Sequence, residues 1–156
     1  MTHLPMTREL RLLGATALLL TLGACGHEFE PPDRADHIAA AEALYSAELF
    51  DTLTWESDYA RTLEGNSVYA SQCRKCHGSL GLGGTEYSEV RGLDVPSLVE
   101  WEWKFTDGLE SVRHYVFVGH DGGMPSWGLS GLSPREIDGA AYYLLAQLRP
   151  EMLAQQ

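Results

Sequence analysis

Two thiols and an imidazole stand within five residues, in Cys73-Arg74-Lys75-Cys76-His77. Thiols three apart on a helical turn reach the two vinyl groups of a single porphyrin. A histidine directly after the second thiol then lies under the iron as a proximal ligand. C-x-x-C-H is for this reason the attachment signature of c-type haem. Other chemistries of paired cysteines fit less well. A thioredoxin-type redox pair needs a βαβ setting, and the sequence has no alternation strong enough for a sheet. A zinc ribbon needs a second ligand pair, but only Cys25 remains of the three cysteines. A disulfide across two residues is strained and leaves His77 without a role.

An iron held by His77 calls for a second ligand downstream. Gly119-His120-Asp121-Gly122-Gly123-Met124-Pro125-Ser126-Trp127-Gly128 offers one in Met124. Glycines let the backbone wrap closely around a ring, and Pro125 fixes the chain after the methionine. A thioether is a soft, neutral ligand, and His/Met ligation raises the reduction potential. A lone methionine is usually a packing residue. One set between glycine and proline in a polar loop is badly placed for that. His120 in the same loop and His114 before it are the rival ligands, and Trp127 is expected to pack near the ring.

Helices must position these groups. Gly65, Tyr69 and Cys73 recur every four residues and share one helical face. Ser133-Pro134-Arg135-Glu136 gives an N-cap, a proline at the first helical position and the acid of a capping box. Ile137, Ala140, Ala141, Leu144, Leu145 and Leu148 then form an apolar stripe, interrupted by Gly139, which weakens a helix interior by up to about 1 kcal/mol. A middle helix is expected over Asp107–Val118, stopped by Gly119. An extra helix is expected over Asp36–Leu53, with Ile38, Ala41, Tyr45 and Leu49 on one side, and packing is its expected role.

The first residues read as an address. Arg8 and Arg11 precede an apolar run, Leu12–Leu22, that is too short to span a bilayer but suits the core of a secretory signal. It ends in Leu22-Gly23-Ala24-Cys25, which resembles the lipobox of bacterial lipoproteins. That resemblance implies cleavage before Cys25 and lipidation of its sulfur. Two or three acyl chains, at about 0.8 kcal/mol per buried CH₂, hold a protein firmly to a membrane. The chain is then exported and anchored to a bacterial membrane on its periplasmic or outer-surface side, outside the cytoplasm, where c-type haem is attached. Residues Gly26–Asp36, with adjacent Pro31 and Pro32, read as a tether.

Length and composition agree with one small globular domain: 156 residues, 44% apolar, 21% charged. The formal net charge of −11 disfavours phosphate backbones, so nucleic acid is not an expected partner. It favours redox proteins that present a basic docking face.

Taken together, Cys73-Arg74-Lys75-Cys76-His77 and the Met124 loop resemble a monohaem class I cytochrome c, from about Tyr59 to Leu148. The resemblance implies an all-α fold of helices wrapped around one covalent haem c, here with the extra N-terminal helix. It implies a Gly65 helix crossing the C-terminal helix, with Ala140 or Ala141 as the small residue facing Gly65, and an aromatic-leucine pair within Tyr142-Tyr143-Leu144. Val95-Pro96-Ser97-Leu98 resembles the segment whose proline carbonyl accepts a bond from the proximal histidine, which makes Pro96 the partner of His77. The expected organisation is a signal peptide over 1–24, tether and extra helix over 25–57, the cytochrome domain over 58–150 and a tail over 151–156. The function it implies is one-electron transfer. Both axial positions are filled by His77 and Met124, which argues against catalysis and against a small-molecule substrate. The alternatives are a haem subunit fixed in a respiratory or photosynthetic complex and, further off, a haem enzyme or gas sensor.

Overall fold

The computed structural model describes residues 33–100 and 108–156. Cys25, the leader, most of the tether and Asp107 lie outside the described residues. Residues 33–156 belong to one compact unit. Among the described residues there are helices and turns but no strand, so the all-α expectation holds.

The first helix, α1, covers Arg34–Leu44 and is capped by the Asp33 side chain, which accepts from Ala35 N. It stops earlier than the sequence pattern suggests. Tyr45 turns extended, and Ser46 opens a separate 3₁₀ turn, Ala47–Leu49, by accepting from Glu48 N. The reason is tertiary packing. The Tyr45 ring lies edge-on to His114 and Phe117, with centroids 4.5 and 5.5 Å away. Ala41, Phe50, Phe117, Val118 and Ile137 close a buried cluster beneath it. The extra helix thus packs on the body of the domain.

Ser57 caps α2, Asp58–Val68, by accepting from Ala60 N at 3.1 Å. The chain stays helical through a π turn, Tyr69–Cys73, into the single turn α3, Arg74–His77. Gly78, at φ +77°, ends it. Short α4, Glu86–Val90, follows under a Thr85 cap. The middle helix α5 is Leu109–Val118, between Gly108 and Gly119. The C-terminal helix α6, Pro134–Tyr143, carries the expected capping box. A second π turn, Leu144–Leu148, leads into α7, Arg149–Leu153.

Helices α2 and α6 cross where neither has a side chain. A Cβ on Gly65 would overlap the Gly139 carbonyl and stand 2.8 Å from Tyr143 Cβ. The residue facing Gly65 is therefore Gly139, not Ala140 or Ala141. The helix propensity lost at Gly139 permits close approach of two backbones. Tyr143 is the buried tyrosine of the pair, with its ring 5.6 Å from that of Tyr69. Tyr142 instead lies under the Arg61 guanidinium at 4.1 Å.

Beside this crossing, Asp138 is fully buried. Its carboxylate accepts from Trp55 Nε1 at 2.7 Å, Arg61 Nε at 2.8 Å and Arg113 Nε at 2.7 Å. One α6 carboxylate thus joins α2, α5 and the segment before α2. A buried carboxylate is tolerable only when paired and hydrogen-bonded in this way. Nothing in the residue pattern marks Asp138 apart from its place among apolar neighbours.

Candidate functional site

The C-x-x-C-H motif lies at the end of the helical run that starts at Asp58, and the chain after it is stitched back onto it. Gly83 N donates to His77 O at 2.9 Å, and Thr85 Oγ1 donates to Lys75 O at 2.8 Å. The Tyr69 hydroxyl donates to Gly78 O at 2.8 Å. Burial, then the neighbouring Cys73 and Tyr143, pushes that hydroxyl's pKa well above its ordinary value. Leu98 N donates to Gly81 O at 2.7 Å, which draws the Val95–Leu98 segment alongside. Gly83, at φ +71°, leaves no room for a Cβ beside the Val95 carbonyl.

Facing this helix end is the loop that follows α5. Trp127 N donates to Val116 O at 3.3 Å and Gly128 N to Phe117 O at 3.0 Å, so the loop folds back on its own helix. Gly119, at φ +73°, permits the turn, since a Cβ there would lie 2.6 Å from Pro125 O. The glycines therefore give a tightly returned loop.

Between the two lie adjoining cavities of about 350 and about 490 Å³. Cys73, His77, Pro96, His120 and Met124 line both, and Cys76 and Trp127 line the first. The structure thus brings together every predicted site residue except Cys25. His114 is not among them. Its Nε2 lies 3.0 Å from the Glu42 carboxylate on α1, which removes it as a rival ligand.

The donor set suits an iron porphyrin. Cys73 and Cys76 form no disulfide. Burial, reinforced by Cys76, raises the Cys73 thiol to about 12, so it is a neutral thiol. Burial, and then the nearby His120, lowers His77 to about 4, which leaves a neutral imidazole able to ligate. Its Nδ1 is buried with no hydrogen-bond partner. The expected bond to the Pro96 carbonyl is not made in this structure, although Pro96 lines the same cavities. An orphaned buried ring nitrogen is costly, and it leaves the bonding of this imidazole incomplete. Among the described residues no cluster of His, Cys, Asp and Glu offers a competing metal site.

An all-helical fold that places a C-x-x-C-H helix end across a cleft from a methionine loop is that of a c-type cytochrome. Comparison with known proteins narrows this. A family model described as cytochrome c oxidase, cbb3-type, subunit III matches residues 60–144, and the chain belongs to that family. The cbb3-type cytochrome c oxidase subunit CcoP of Rhodobacter capsulatus is 30% identical over 81 residues, 51% of this chain and 25% of that protein. CcoP of Cereibacter sphaeroides is 28% identical over 89 residues, 57% of this chain and 28% of that protein. The match spans about a quarter of the length of these relatives. No solved structure matches the chain. Electron transfer through haem c is the chemistry of such a domain.

Proposed function

We propose that this chain holds one haem c, joined through thioethers to Cys73 and Cys76 and ligated by His77 and Met124, and serves as a membrane-anchored one-electron carrier. When bound, the haem supplies an iron that alternates between the ferrous and ferric states. The protein's own part is to hold and shield it. Cys73 and Cys76 tether the ring, each thiol adding across a vinyl group. His77, at the end of α3, would supply a neutral nitrogen to the iron, with Pro96 the candidate acceptor for its other ring nitrogen, a bond this structure does not make. Met124 would supply a sulfur ligand from the loop side of the cleft and so limit access of other molecules to the iron. Tyr69, Leu144 and Trp127 line the cleft and limit the approach of water. Lipid on Cys25 holds the domain at the membrane, a reading supported by the Leu22-Gly23-Ala24-Cys25 sequence.

The observation that carries this reading is the shared lining of one cleft by Cys73, His77 and Met124. A Cys25→Ser variant tests the anchor. It is expected in the soluble fraction, and retention on membranes washed in high salt contradicts the lipid. A second reading, a haem subunit docked in an oxidase complex, is favoured by the family match and by the two relatives, both oxidase subunits. Affinity purification in mild detergent separates the two. A lone protein supports the mobile carrier, and a stoichiometric oxidase complex supports the subunit.

A further inference from the structure

His120 lines both cavities beside His77 and Met124, yet the function proposed above gives it no task. Its bonds describe one. The imidazole Nδ1 accepts from Gly122 N at 3.0 Å. The backbone N donates to Met124 O at 3.2 Å, and the carbonyl accepts from Gly123 N at 3.3 Å. One residue thus touches the three that follow Asp121 and end at Met124. The side-chain bond runs to the amide two residues on, the pattern by which Asn and Asp stabilise turns.

That bond also sets the tautomer. A neutral imidazole that accepts at Nδ1 carries its proton on Nε2. Nε2 then has no lone pair for a metal. Freeing one moves the proton to Nδ1, where it would meet the Gly122 N–H donor to donor. Holding the loop and withholding a histidine from the iron are therefore the same interaction.

We propose that His120 is a positioning residue, whose Nδ1 bond to Gly122 holds the loop so that Met124, and not His120, is presented to the iron. This rests on the haem reading above and deepens it. The consequence is a choice of ligand made by a turn. Without the bond, the glycine pair gains freedom and the thioether is more easily displaced.

The test uses holoprotein matured in a host that attaches haem c, as wild type, His120→Ala, His120→Asn and Met124→Ala. Two readouts are taken: the thioether-to-ferric-iron absorption band at the red end of the visible spectrum, and titration of the ferric protein with imidazole, which must displace the thioether. Loss of one neutral hydrogen bond predicts about fivefold tighter apparent imidazole binding in His120→Ala, with a weakened band. His120→Asn keeps an acceptor for Gly122 N and is expected within about twofold of wild type. The proposal is overturned if His120→Ala matches wild type, or if His120→Asn behaves as His120→Ala. Should His120→Ala yield no holoprotein, His120→Ser replaces it. Serine accepts more weakly, so intermediate binding supports the proposal and wild-type binding overturns it. Failure of the underlying reading looks different. There the wild type lacks the band and Met124→Ala leaves the spectrum unchanged, which removes Met124 as ligand and this proposal with it.

Discussion

The wall of the cleft that carries His77 and the wall that carries Met124 are built in different ways. The first is the end of a helical run from Asp58 to His77, anchored at one end by the Gly65–Gly139 crossing and at the other by three hydrogen bonds to carbonyls of Lys75, His77 and Gly78. The second is an irregular loop, anchored by its return onto α5 and by the bonds of His120. A helix end fixes three chemical groups in five consecutive residues. A loop fixes one group, and needs local bonds to do it. The proposed function, with permanent attachment on the helix side and a weaker, potential-setting ligand on the loop side, would suit that division.

Breaking each wall separately sharpens the comparison. The largest effect is expected on the loop side. Met124→Ala should leave haem attached but abolish the thioether band and lower the potential by more than about 0.1 V, within the roughly 0.8 V span that axial ligands command. Redox titration and the oxidised spectrum check this, and an unchanged spectrum refutes Met124 as ligand.

Next comes the scaffold under the helix wall. Asp138→Asn leaves Arg61 and Arg113 facing a neutral group in a buried site, and about 3 to 5 kcal/mol of stability is expected to be lost in denaturant unfolding. The thioether band should persist in the fraction that remains folded, because Asp138 does not line the cleft.

A matched pair of glycines compares the walls most directly. Gly83→Ala and Gly119→Ala each place a Cβ at positive φ against a backbone carbonyl. Both should cost about 1 to 3 kcal/mol. Only Gly119→Ala should also weaken the thioether band, because it displaces the Met124–Pro125 backbone, whereas Gly83→Ala presses on Val95 and Pro96 beside His77 and should leave that band in place. Equal spectral effects from the two would erase the distinction drawn between the walls.

The smallest effect belongs to Ser133→Ala, which removes the α6 cap far from either wall and should cost about 1 kcal/mol with no spectral change. Glu136 adds a pH signature. Hydrogen bonds from the Ser133 backbone and hydroxyl lower its pKa. Its contribution is present above the unfolded value and is lost as pH falls through the folded one. The gap between wild type and Ser133→Ala should therefore narrow in acid.

How much of this was legible beforehand follows the same division. Cys73, Cys76 and His77 lie within five residues and their chemistry is local, so the helical turn that carries them could be read directly. The α6 cap is equally local, and Ser133 and Glu136 stand as expected. What escaped depends on pairs distant in sequence. Gly139 reads as a defect until Gly65 is packed on it. Asp138 reads as a polar residue in an apolar stripe until Arg61, Arg113 and Trp55 converge on it. The stop of α1 at Tyr45 is set by His114 and Phe117, more than sixty residues away. His120 was legible as a rival ligand, but its bond to Gly122 is a matter of loop geometry that composition does not encode.

The central claim is covalent attachment of one haem through Cys73 and Cys76. Intact-mass analysis of the chain, matured in a host competent for haem c attachment, tests it most directly. The account predicts a chain heavier than its polypeptide by one haem, red in colour, and a Cys73→Ser/Cys76→Ser variant at bare polypeptide mass. A colourless wild type at bare polypeptide mass would contradict it.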